Sequence, residues 1–243
     1  MVNIRKYEAK DRLAVRRLCC DTGFLGSAID PVYQDREVFA DFLTDYYLTK
    51  EPQNAFVVDV AGELRGYLLG CSDPAGYRIW SIVYAVRAAA KLFVHLPAYS
   101  VESLRFIRWM LLNAQSEVPP APKGTPHFHI NLLEDVRNVK MTRELIDLFL
   151  VYLRSCGAKA VYGQMVTFSE RRGERMFERY GFRVLNRSEI TKYRAFYNEP
   201  VYLCTVLKDL TSGVHLYDRD GDRRSSIAST EISAGVNPLI REA

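Results

Sequence analysis

The sequence predicts an α/β fold, a mixed central sheet flanked by helices, and three observations predict it. His127 to Leu132 alternates apolar with polar residues as a strand does, and the chain then passes through a basic turn into a helical pattern. Two β-rich runs, 55–60 and 64–71, flank Ala61-Gly62-Glu63, a turn whose glycine accepts positive φ. From 142 onward the order reads helix, strand, helix and strand, the last helix stopping at Gly181.

The elements follow in order. Val2 and Ile4 begin a strand, and 10–20 and 36–48 read as helices, the second with Val38, Phe42, Leu43, Tyr46 and Tyr47 at helical spacing and Pro52 behind it. The hairpin comes next. Residues 73–125 form an insertion, with a long apolar and basic helix over 77–95, a break at Pro97, and a second helix over 101–112. Its apolar residues cover much of the helix circumference, which predicts a lid packed on the domain; peripheral contact with anionic lipid through 77–95 is the alternative. Pro119, Pro120, Pro122 and Gly124 then give a stiff returning loop.

After the strand at 127 the helix over 142–155 places Leu145, Ile146, Leu148, Phe149, Val151, Tyr152 and Leu153 on its apolar positions, with Cys156-Gly157 behind it as a C-cap. A strand follows at 160–166. Ser169 then reads as an N-cap, with Met176 and Phe177 inward, and a strand starts at Phe182. Elements thus fill 1–210 as one domain. Residues 211–243 are polar and turn-prone without sustained period, which predicts a tail outside the fold, and Arg223-Arg224-Ser225-Ser226 resembles a basic-directed kinase target.

Composition narrows the function. With 48% apolar and 26% charged residues among 243, the chain can bury a large core, and a net charge of +4 spread along it, without a zinc, helix-turn-helix or RNA-sheet motif, argues against nucleic acid. Five cysteines lack the C-x-x-C spacing of a metal site and suit reduced thiols. No signal peptide opens the chain, so a cytoplasmic setting is expected.

The basic turn carries the chemistry. Helix N-termini leave backbone N–H groups unpaired and bear partial positive charge, which acidic side chains usually offset. Here Arg137, Lys140 and Arg143 stand at i, i+3 and i+6, a pattern suited to holding an anion such as phosphate. The plainer alternative is that Glu134 and Asp135 cap the helix and the basic residues are solvated.

Strand, R-x-x-(G)-x-(G/A)-like turn, helix, strand, helix and the Gly181-Phe182 ending resemble the acetyl-CoA-binding half of the GNAT family of N-acetyltransferases. His127-Phe-His-Ile-Asn-Leu-Leu133 resembles its branch related to the acetyltransferase-like domains of O-GlcNAcases. The resemblance spans about 2–210 in element order and 127–185 in motif. It implies the GNAT acyl-CoA N-acyltransferase fold and acetyl-CoA-dependent acetylation of an amine acceptor, with no metal. It assigns cofactor contacts to Leu132, Leu133, Arg137, Asn138, Val139, Lys140, Met141, Thr142, Arg143, Glu170 and Phe177. Two family glycines fall at Lys140 and Thr142, a cofactor-contacting asparagine falls at Glu170, and the tyrosine that protonates the thiolate falls at Phe177. His129 is the candidate base, because an imidazole accepts protons at neutral pH and His127, His129 and Asn131 share one strand face; Glu134 is the second candidate. By the same resemblance the segment around 23–32 borders the acceptor site, making Phe24, Asp30, Tyr33 and Asp35 possible substrate contacts. The competing class is a binding or regulatory module that keeps the fold without turnover.

Overall fold

The structure, a computed structural model, describes residues 2–168 and 170–211, without the side chains of 170–174. Seven strands form one sheet in the order β1-β2-β3-β4-β5-β7-β6: β1 (Val2–Lys6), β2 (Ala55–Val60), β3 (Glu63–Cys71), β4 (His127–Leu132), β5 (Ala160–Thr167), β6 (Arg183–Glu189) and β7 (Tyr202–Asp209). Every pairing is antiparallel except that of β4 with β5. Helices α1 (Arg12–Asp21) and α2 (Arg36–Lys50) precede β2, and α3 (Pro74–His95), α4 (Val101–Leu112) and α5 (Ala114–Glu117) lie between β3 and β4. Helices α6 (Val139–Ser155) and α7 (Glu170–Arg179) flank β5 in sequence.

Strand alternation divides the core. Phe56, Val58 and Leu68 join Phe128, Leu145, Phe149 and Phe177 in the cluster under α6 and α7, whereas Val57, Tyr67 and Leu69 join Val15, Cys19, Tyr46 and Tyr47 under α1 and α2. A third cluster gathers Ile29, Val32 and Tyr33 from the α1–α2 connection with Trp109 of α4 and with Ile190 and Tyr193 between β6 and β7. In the β2–β3 hairpin both Ala61 (φ 54°) and Gly62 (φ 90°) are left-handed, the two-residue turn whose twist matches the strands. Asp59 Oδ1 holds this turn by accepting the Gly62 N–H at 2.7 Å.

Several boundaries correct the sequence reading. The helix expected from Thr142 begins at Val139, because Asn138 is its cap: Asn138 Oδ1 accepts the Met141 N–H at 2.9 Å. Glu134 and Asp135 do not cap it, and Asp135 pairs instead with Arg65 at 2.9 Å. Phe177 is buried but Met176 is exposed, since adjacent helix positions lie about 100° apart and cannot both face the sheet. Ser169 and residues 212–243, and with them nearly all of the expected tail, lie outside the described residues.

The insertion is helical as expected, yet only half of its apolar residues face the domain. Tyr77, Trp80, Tyr84 and Leu92 turn inward: Trp80 meets Tyr46 edge-on, and the Tyr84 hydroxyl donates to the Val38 carbonyl at 2.9 Å. Lys91 reaches Asp41 at 3.1 Å. The opposite side of α3 is exposed and apolar.

Candidate active site

A cleft opens where β4 and β5 part. The two strands pair at only His127↔Tyr162 and Phe128↔Gly163; beyond them β4 continues along β3 to Leu132↔Gly66, while β5 continues along β7 to Thr167↔Tyr202. Residues 129–132 and 164–167 therefore turn facing backbone edges toward one another without a shared ladder. Such edges are matched by a chain that carries its own amides.

The cleft leads along β4 to the start of α6. Between them the Leu133 N–H donates to the Arg65 carbonyl at 2.9 Å, the Val136 N–H to Leu133 and the Arg137 N–H to Glu134. The first bond into the helix is Thr142 N–H to the Asn138 carbonyl at 3.1 Å. With Met141 N–H capped by Asn138, the N–H groups of Val139 and Lys140 have no protein partner among the described residues, and they are the natural donors of this helix start. Arg137 and Lys140 are exposed beside them. The Arg137 guanidinium lies against Gly26, which with Leu25 takes a left-handed conformation (φ 96° and 54°) in the α1–α2 connection.

The side chains standing where the family has glycine are turned aside. Lys140 extends along the helix, its Nζ 4.0 Å from Glu144, and the Thr142 hydroxyl donates back to the Asn138 carbonyl at 2.9 Å. Arg143 is partly committed elsewhere, donating to the Arg179 carbonyl at 2.6 Å at the end of α7. Leu132 and Phe177 are sealed in the core under α6. Leu133 is half-buried, Val139 and Glu134 are exposed, and the Glu170 side chain lies outside the described residues.

His127, His129 and Asn131 point together toward α1 and α2. The Asn131 amide donates to Thr22 at 2.7 Å and to Tyr67 at 3.0 Å, tying β4 to the end of α1. His127 Nε2 lies 3.0 Å from the Tyr47 hydroxyl, inside a ring of Tyr47, Tyr77 and Tyr162. His129 meets the Tyr67 ring edge at 5.5 Å between centroids. Burial pushes both imidazoles down to about 4; at His127 the Glu51 carboxylate opposes this and the neighbouring His129 adds to it, and at His129 the Leu43 carbonyl opposes it. The Nδ1 atoms of both are buried without a partner among the described residues. At neutral pH each ring is therefore uncharged.

The other expected substrate contacts divide. Asp30 pairs with Arg36 at 3.0 Å, Tyr33 is buried against Phe106, and Asp35 caps α2 through Val38 N–H while accepting the Tyr99 hydroxyl at 2.7 Å. Tyr33 and Asp35 are thus engaged within the protein, while Asp30 remains exposed. Phe24 packs on Tyr193 and Phe196, and Phe168, just past the end of β5, packs on Tyr197, so the α1–α2 connection and the β6–β7 connection bring an aromatic group together. Nothing local in the sequence marks Thr22, Tyr67 or Tyr197; only the Leu25-Gly26 turn carries a signal, its glycine.

No protein-family model and no curated protein matches the chain. Solved structures do. The structure of SsHAT aligns with a TM-score of 0.54 at 26% identity, covering 86% of this chain and 98% of that one. An N-acetyltransferase from Staphylococcus aureus Mu50 aligns at 0.51 and 12% identity, over 86% and 99%. YncA from Salmonella typhimurium, described as a putative acetyltransferase with its cofactor acetyl-CoA, aligns at 0.51 and 13%, over 91% and 99%. What these proteins share with the present chain is the course of the backbone, and the chain carries the GNAT acyltransferase fold.

Proposed function

We propose that this protein is an N-acetyltransferase that takes the acetyl group from acetyl-CoA and gives it to an amine. The observation that carries the reading is the parting of β4 and β5 directly ahead of a helix start with two open N–H groups and two exposed cations. The edge of 129–132 suits the amides of a pantetheine arm. The N–H groups of Val139 and Lys140, with Arg137, suit a pyrophosphate. In the reaction the amine nitrogen bonds to the thioester carbonyl, the carbon–sulfur bond breaks, and the amine proton leaves to a base while the thiolate is protonated. A backbone N–H on the open strand edge would steady the oxyanion.

His129 is the proposed base. Its unpartnered Nδ1 is a buried acceptor that an incoming N–H donor would satisfy, and its neutral state at pH 7 leaves the lone pair free. Glu134, exposed after β4, is the second candidate. The burial of Phe177, which has no hydroxyl to protonate a thiolate, favours a second reading, a GNAT-fold module that binds acetyl-CoA without turnover. Calorimetric titration with acetyl-CoA followed by assay on a panel of amines tests both. Binding with transfer supports the enzyme, binding without transfer supports the module, and no binding removes both. Arg137→Glu reverses an exposed charge at the turn and is expected to abolish acetyl-CoA binding with the melting temperature unchanged; unaltered affinity would remove the pyrophosphate assignment.

A further inference from the structure

Helix α3 is two-faced in an unusual sense: both faces are apolar, and only one is covered. Ile79, Ile82, Val83, Val86, Phe93 and Val94 all point away from the domain, with Ile82 61%, Val86 70% and Phe93 81% exposed. At 3.6 residues per turn these six fall within about 120° of arc, opposite the inward Tyr77, Trp80 and Tyr84. Arg78 and Arg87 border the arc, one on each side, and neither has an ion-pair partner among the described residues. No carboxylate occurs from residue 74 to residue 101. Helix α4 extends the same composition, exposing Leu111 and Leu112 together with Arg105 and Arg108.

We infer that the outer face of α3 docks on a membrane surface rich in anionic lipid. Pro74–Ala98 is long and apolar enough to cross a bilayer, its most apolar 18-residue stretch having a mean hydropathy of 1.4. Its inner side, however, is held on α2 by the Tyr84 hydroxyl, the Trp80–Tyr46 contact and the Lys91–Asp41 pair. A helix held so along one side lies in the interface, with its free apolar face among the acyl chains and its bordering arginines at the headgroups. Charge decides against a second copy of the chain. Two such faces would bring unpaired arginines together with no carboxylate from 74–101 to receive them, whereas anionic lipid supplies the missing charge. Side-chain chemistry decides against a protein groove. The arc carries no hydrogen-bonding side chain, while specific protein interfaces make roughly one hydrogen bond per 100–200 Å² and hydrocarbon asks for none.

Sedimentation of the full chain with vesicles tests this. Vesicles in which roughly one lipid in four is phosphatidylserine and the rest phosphatidylcholine are expected to bind the protein more tightly than phosphatidylcholine alone, less so as salt rises. The triple variant Ile82→Ser, Val86→Ser, Phe93→Ser alters only exposed positions, and a thermal melt verifies its fold. It is expected to partition at least about tenfold more weakly to both vesicles. Arg78→Glu with Arg87→Glu is expected to lower the phosphatidylserine-dependent part alone, about fivefold or more for each arginine lost. The proposal is overturned if the parent fails to sediment with phosphatidylserine vesicles, or if the triple variant sediments as the parent does. It is equally overturned if binding disappears only with the arginines, which would leave a bare electrostatic attraction. Self-association of the parent that the triple variant abolishes, without vesicle binding, would assign the face to a second copy instead.

Discussion

Two histidines two residues apart on one strand face, His127 buried, His129 half-buried with its Nδ1 inside, and both uncharged, make the folded state sensitive to acid. Unfolded, each imidazole takes a proton near its ordinary 6.5; folded, burial delays this until about 4. Between those values the unfolded chain holds more protons, so stability falls as pH drops through the window, by up to about 3 kcal/mol per imidazole, and the loss levels off below the folded value. Denaturant unfolding measured from pH 7 to pH 4 is expected to show this slope, and His127→Gln with His129→Gln to flatten it; an unchanged slope would mean that neither ring is buried neutral. The same depression alters what catalysis by His129 looks like. Removing the base is expected to cut turnover roughly a hundredfold to ten-thousandfold while sparing acetyl-CoA affinity. The ascending limb of the pH–rate profile, however, belongs near 4 in the parent and not near 6.5. His129→Gln with full turnover would transfer the role to Glu134, and lowered stability with an unaltered profile would leave His129 structural.

At the scale of elements, the parting of β4 from β5 makes the cleft, and amide exchange reads it directly. Amides of 129–132 that point away from β3 have no ladder partner on the β5 side, so they are expected to exchange quickly in the free protein and slowly with acetyl-CoA bound. Protection already present without ligand would mean a closed sheet. The sequence reveals much of this architecture where the cause is local. The apolar period over 142–155, the glycine of the β2–β3 turn and the alternation of His127, His129 and Asn131 all identify elements that the structure contains, because periodicity and turn chemistry act over a few residues. What stayed hidden depends on distant partners. Asp135, which looks like a helix cap, pairs instead with Arg65, far away in sequence. The divergence of β4 and β5 depends on β7 continuing along one strand and β3 along the other. The apolar circumference of α3 looks like burial all round, and only the packing on α2 shows that half of it is left outside.

At the scale of the whole molecule, the side chains behind the cleft also hold the fold together. Phe149 of α6 is completely buried against the sheet, and its ring occupies the space above Gly70 of β3, where any Cβ would run into it. The helix that presents the Val139 and Lys140 N–H groups is thus seated on the sheet through a ring and a missing side chain. Phe149→Ala is expected to cost about 3–5 kcal/mol, the range for emptying a buried phenylalanine site. The clusters lie against one sheet, so loss in one is expected to lower a single cooperative transition with unchanged denaturant dependence rather than to split it. Gly70→Ala alone should also destabilise, because the new methyl must push against the ring. In the Phe149→Ala background the same methyl enters empty space, and alanine suits a strand better than glycine, so the second substitution should restore stability. The double-mutant cycle then gives a favourable coupling of at least about 1 kcal/mol. Additive losses would show that ring and glycine do not meet, and a two-step transition would show that α6 melts apart from the rest of the sheet.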